Sequence, residues 1–111
     1  MFTIRKQQMD VFNQGMRQGF EKSVYQHLQT SYPEVVKNMS DDAIYASIST
    51  GIERSASYGI TAEYDVVRFV DLMYLLSADF DSNPRWNWIG PILDDTQLSS
   101  GEKMDLIYDK A

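Results

Sequence analysis

The stretch AEYDVVRFVDLMYLLS, residues 62 to 77, constrains the fold more than any other part of the chain. On a helix its apolar residues are Tyr64, Val66, Val67, Phe69, Val70, Leu72, Met73, Tyr74, Leu75 and Leu76. They cover roughly two-thirds of the circumference. A helix apolar on so many sides belongs at the centre of a bundle, with other helices around it. Asp65, Arg68 and Asp71 share the remaining face at three-residue steps, where they can pair.

The rest of the chain supplies such neighbours. A first helix is predicted from about Ile4 to about Ser31, with Met9, Phe12, Met16, Phe20, Val24 and Leu28 as its apolar stripe. After Phe12 the spacing is a strict four, so the stripe winds round the helix by about 40° per step. Gly15 and Gly19 stand beside it. Each costs about 1 kcal/mol of helix propensity relative to Ala, which close approach of another helix would offset. Pro33 ends this helix and opens a short second one, PEVVKNM. Ser40 reads as the N-cap of a third helix reaching about Tyr58, with Asp41 and Asp42 in its first turn. Ile44, Ile48, Ile52 and Ala56 form its apolar face. Ala43, Ser47, Gly51 and Ser55 lie alongside, either as a groove for a neighbouring helix or as a polar flank. Gly59 fits the left-handed position that ends a helix, and Thr61 then reads as the cap of the central one. Further on, WIGPILDD predicts a short helical turn, with Trp88, Ile89, Ile92 and Leu93 facing the core. Ser99 and Glu102 have capping-box spacing and predict a last helix from about Ser100 to Tyr108, with Met104, Ile107 and Tyr108 inward. No alternating strand pattern competes. The expected fold is therefore all-α, a single-domain bundle of four to six helices with its core over about residues 3–93 and an acidic C-terminal helix over about 99–109.

Composition narrows the function. With 111 residues the chain suits one core. No apolar run approaches the roughly 18 residues of a membrane span, and MFTIRKQQMD lacks an apolar signal core, so a cytoplasmic protein is expected. Cysteine is absent, which excludes disulfides, thiol catalysis and sulfur-based zinc sites. The net charge of −6 is uneven: residues 1 to 58 carry six Lys/Arg against six Asp/Glu, and residues 59 to 111 carry four against ten. An acidic half repels phosphate backbones, so no nucleic-acid partner is expected.

Catalytic groupings are scarce. His27 is the single histidine, and no nucleophile or orienting acid stands near it in sequence. It reads as a surface residue near a helix C-terminus, where its charge suits the dipole. Paired carboxylates at 41–42 and 94–95 read as helix-end residues, and Asp65 with Asp71 as partners of Arg68. No catalytic residue, cofactor or metal ligand is assigned, and the chain is not expected to be an enzyme.

The densest unusual stretch is DFDSNPRWNW, residues 79 to 88. Asp79, Asp81 and Asn83 alternate as at the start of a calcium loop. Pro84 then stands where such a loop needs Gly, and Gly90 where it needs a bidentate Glu. Weak cation binding through residues 79–83 is kept as an alternative. The stretch otherwise reads as a turn-rich connector with Phe80 inward. Arg85 can stack on indole or pair with Asp79 or Asp81. Trp86 and Trp88 face the same side if extended and diverge if helical. An outward Trp beside Arg has the composition of a binding hot spot. Asp79, Asp81, Arg85, Trp86 and Trp88 are therefore the expected partner-binding residues.

The arrangement IRKQQMDVF…FEKSVYQHLQTSYPE…GIERSASYGITAEYDVVRFVDLMYLLSADFD resembles a group of small bacterial helical proteins linked to genes for type VI secretion components and their toxic effectors. The likeness covers about residues 3 to 93 and carries no catalytic signature. It implies an accessory, adaptor or chaperone-like role, with a secreted effector or secretion-spike component as partner. An immunity protein, its acidic half covering a toxin's basic active site, is the alternative.

Overall fold

In a computed structural model, which describes residues 16–111, the chain forms six α-helices and no strand among those residues. They are α1 (Arg17–Ser31), α2 (Pro33–Val36), α3 (Asp41–Ser57), α4 (Glu63–Leu75), α5 (Ile89–Leu93) and α6 (Ser100–Lys110). A 3-10 turn, Pro84–Trp86, precedes α5. This is the expected all-α bundle, and α4 is its centre: it packs against α1, α3 and α6. Val66, Val67, Phe69, Val70, Leu72 and Met73 of α4 are all buried.

The four-residue stripe of α1 holds at Phe20, Val24 and Leu28, which are buried. Met9, Phe12 and Gly15 lie outside the described residues. Gly19 departs from expectation. A Cβ there would meet nothing within 4 Å among the described residues, so none of those offsets its cost by close approach. The second helix is shorter than expected, since only Pro33–Val36 is helical before the chain turns into the Ser40 cap.

That cap is made: Ser40 Oγ accepts the amide of Ala43 at 3.1 Å. Along α3 the small residues settle between groove and flank by position. Ala43 is exposed, whereas Gly51 and Ser55 are buried beneath α4. A Cβ on Gly51 would stand 2.6 Å from Val70 Cγ2 and 3.1 Å from Met73 Sδ. Glycine at 51 thus sets how closely α3 and α4 approach.

The corner between them is a Schellman motif. Gly59 has φ 79°, its amide bonds the carbonyl of Ala56, and the amide of Ile60 reaches back to Ser55, both at 2.9 Å. Ile60 is fully buried. Thr61 is not the cap it was expected to be. Ile60 is drawn into the core, the chain stays extended through Ala62, and α4 begins at Glu63 with Ala62 at the N-cap and no side-chain cap. At its far end α4 stops at Leu75 rather than Ser77, because the chain must turn to bury Phe80. Leu75 is accordingly exposed.

The core also runs past residue 93. Ile89 and Leu93 of α5 and Met104 and Ile107 of α6 are fully buried, joining the C-terminal helix to the bundle. The predicted capping box is present at the start of α6, with Ser99 Oγ accepting from Glu102 N at 3.2 Å and Ser99 N donating to Glu102 Oε1 at 2.9 Å. No helix among the described residues is long and apolar enough to cross a membrane.

Candidate functional site

The loop from Ser77 to Trp88 uses its three alternating polar residues in three different ways. Asp79 is exposed and organises the turn. Its carboxylate accepts from Ser77 Oγ and from Asn83 Nδ2, and its carbonyl accepts the amides of Ser82 and Asn83 at 2.9 Å. The Ser77 and Asn83 hydrogen bonds hold its carboxyl below the ordinary range. Asp81 turns inward instead. It pairs with the guanidinium of Arg54 on α3 and accepts from Tyr58 Oη at 2.8 Å, with its side chain 7% exposed. Asn83 caps the 3-10 turn by accepting the amide of Arg85 at 2.9 Å. The calcium-like alternation is therefore spent on turn geometry and on one buried ion pair. No group of three or more His, Asp or Glu side chains among the described residues is placed to hold a metal ion.

Arg54 is the anchor of this loop. Besides Asp81 it bonds the carbonyl of Ala78, and its guanidinium lies 5.9 Å from the ring centre of Phe69. Phe80 is fully buried, its ring 4.9 Å from that of Phe69, as its position between two aspartates implied. Loop and core are thus tied by one apolar and one ionic contact, side by side.

Of the five expected partner-binding residues, Asp81 is withdrawn from the surface and Asp79 is engaged locally. Arg85 is exposed and does not pair with either. Its guanidinium lies 5.2 Å from the Trp86 ring centre. Trp86 and Trp88 are each half-buried against the core, and because the backbone stays helical through Asn87 and Trp88 they leave the turn in different directions. Lys110, near the end of α6, stands 5.9 Å from the Trp88 ring. Each indole therefore has one side on the helices and a cation nearby. No sequence pattern brings Lys110 to Trp88, because the pairing depends on how α6 docks.

Charge accounting sets Arg85 apart. Among the described residues Arg17 pairs with Glu21 and Glu53, Arg54 with Asp81, and Arg68 with Asp65 and Asp105. Arg85 is the one described arginine with no carboxylate within 4 Å, in a chain that holds six more acidic than basic residues.

Two other polar groupings have structural roles. A cleft of about 780 Å³ opens beside the end of α3, lined by Tyr58, Gly59, Asp94, Thr96, Ser100 and Lys103 among others. Its donors stitch helix ends together. Lys103 Nζ bonds the carbonyl of Tyr58 at 2.8 Å and Ser100 Oγ that of Gly59 at 3.1 Å. Cations suit the C-terminal end of a helix, so Lys103 completes the end of α3.

The second grouping corrects the expectation for His27. His27 Nε2 lies 2.8 Å from Asp71 Oδ1, with the two side chains 22% and 16% exposed. Burial raises the Asp71 carboxyl above the usual range against the opposing pull of His27, and burial beside Asp71 pushes the Tyr32 phenol up to about 12. Asp71 therefore faces α1 and leaves Arg68 to Asp65 at 3.4 Å and Asp105 at 2.6 Å. Forty-four residues separate His27 from Asp71, and no local pattern signals their meeting. The pair holds α1 to α4.

Compared with protein families, curated proteins and solved structures, the chain finds no match in any of the three.

Proposed function

We propose that this chain is a non-catalytic protein-binding module whose recognition surface is the ledge formed by Arg85, Trp86 and Trp88. The observation that carries the reading is Arg85: exposed, laid over an indole and without a carboxylate partner, while every other described arginine is paired. Arginine and tryptophan dominate binding hot spots because they present large contact area with fixed geometry. The loop beneath is anchored by Arg54, Asp81 and Phe80, and an anchored surface has less to order when it binds. The resemblance to helical proteins of type VI secretion clusters supports placing the partner among secreted effectors or spike components, with an accessory or chaperone role.

The test is site-directed cross-linking in the native host. A light-activated cross-linking residue at position 85 should trap one protein species, and the same residue at the exposed Thr50 on α3 should not. Co-expression with the trapped species should then raise its soluble yield if the role is that of a chaperone. Rescue of growth from a toxic partner, without a gain in its yield, would point to an immunity protein. Equal trapping from both positions, or from neither, would defeat the recognition surface.

A further inference from the structure

Two opposite charges line the cleft beside the end of α3, and the described fold gives neither a counter-ion. The first is Lys103, which is only 6% exposed. Its ammonium bonds the neutral carbonyl of Tyr58 at 2.8 Å and forms no ion pair among the described residues. A buried charge ordinarily has an opposite charge against it, because a single neutral partner does not repay the water it has lost. The carbonyl end of a helix supplies only about half a negative charge. The second is Asp94, exposed on the same lining and likewise in no ion pair among the described residues. The two do not meet each other within 4 Å. Neighbouring hydroxyls are engaged elsewhere: those of Ser57 and Ser100 donate to helix-end carbonyls, and that of Tyr58 holds Asp81. The volume of about 780 Å³ is that of a small-molecule site, and Leu93 and Leu98 add apolar wall.

We infer that this cleft binds a small zwitterion of the amino-acid and short-peptide class, with its carboxylate on the Lys103 ammonium and its own ammonium on Asp94. A ligand carboxylate would give the buried lysine the opposite charge that the described fold withholds, through a charge-assisted hydrogen bond. The second charge matters as much. Asp94 repels a bare anion, and so does the wider field of a chain with a net charge of −6. A zwitterion carries no net charge into that field and offers each side of the cleft the sign it lacks. An apolar side chain between the two charged ends suits Leu93 and Leu98. The site stands apart from the Arg85 surface and does not depend on it.

The experiment titrates the full chain with leucine and with the dipeptide Gly-Leu while following backbone amide resonances by NMR. Two controls each lack one charge: 4-methylpentanoate has no ammonium, and leucinamide has no carboxylate. At least one zwitterion should give saturable shifts at Gly59, Ser100 and Gly101, and the tighter of the two fixes the spacing of the charges. Each control should bind about tenfold more weakly or worse, the loss expected for one charge-assisted contact. Lys103→Met should weaken the zwitterion by a similar factor and bring it level with leucinamide. Because that lysine also docks α6, Asp94→Asn is the second variant: Asp94 is exposed and in no ion pair among the described residues, so its loss should weaken the zwitterion, leave 4-methylpentanoate no weaker and keep the fold. No saturable shift at the cleft with either zwitterion up to about 10 mM overturns the inference. So does equal binding of either control, or unchanged zwitterion binding in Asp94→Asn.

Discussion

Lys103 of α6 donates to the main-chain carbonyl of Tyr58 at the end of α3, 2.8 Å away, with the lysine 6% exposed. This contact spans 45 residues and fixes the docking of the C-terminal helix. Lys103→Met keeps most of the stem and removes the ammonium, leaving the Tyr58 carbonyl without that donor. The expected loss is about 1–2 kcal/mol, read from urea denaturation.

Gly51 and Gly19 give a paired prediction of opposite sign. Gly51→Ala gains helix propensity of about 1 kcal/mol but drives a methyl into Val70 and Met73, where overpacking costs typically 1–3 kcal/mol. The net expectation is destabilisation with a shift of α4 away from α3. Gly19→Ala meets no described neighbour and should stabilise by up to about 1 kcal/mol. Denaturation midpoints of the two variants should move in opposite directions.

These two glycines also show what the sequence could and could not tell. Both stood beside an apolar helical stripe, and both invited the same idea of a helix passing close by. Among the described residues, only Gly51 has a facing element against it. Periodicity locates the buried side of a helix but does not say which neighbour meets which residue. The same limit governs the site. Capping residues such as Ser40, Ser99 and Asn83 act on their own chain within four positions, so their roles follow from local spacing. Arg54 with Asp81, His27 with Asp71, and Lys110 with Trp88 depend on tertiary docking across tens of residues. Asp79 and Asp81 look alike in sequence, yet one organises a surface turn and the other is buried. That difference follows from Phe80 entering the core between them, and from Arg54 standing opposite on α3.

Stability should carry a pH signature from Asp71. Its carboxyl is raised above 3.8 by burial, so the folded chain holds its proton to higher pH than the unfolded chain. That favours folding at low pH, and the contribution is lost as pH rises through the folded-state value. Tyr32 and His27 face the carboxylate and temper the rise. Asp71→Asn should remove this descending component from a plot of unfolding free energy on the alkaline side of the ordinary aspartate range. Asp65, raised by burial as well, keeps its own share of the slope.

Loop substitutions should separate fold from recognition. Trp86→Ala and Trp88→Ala remove rings packed on the core and should each cost about 1–3 kcal/mol, with lower melting temperatures. Arg85→Ala touches no core residue other than the face of Trp86 and should leave the urea midpoint unchanged. It is therefore the informative variant for binding, and the tryptophan variants need a stability control beside every affinity measurement.

Tyr58 has a wider consequence for how this molecule opens. Its hydroxyl holds Asp81 in the loop, its carbonyl receives Lys103, its ring lies 6.1 Å from that of Phe69, and the two residues after it close the Schellman corner. Helix ends ordinarily fray before the rest, yet this one is clamped by three separate pieces of chain. In hydrogen exchange, the amides of Gly59 and Ile60 would then behave as part of the slowest, globally protected set rather than as a loop. The least regular corner of the backbone would open only when the whole molecule does.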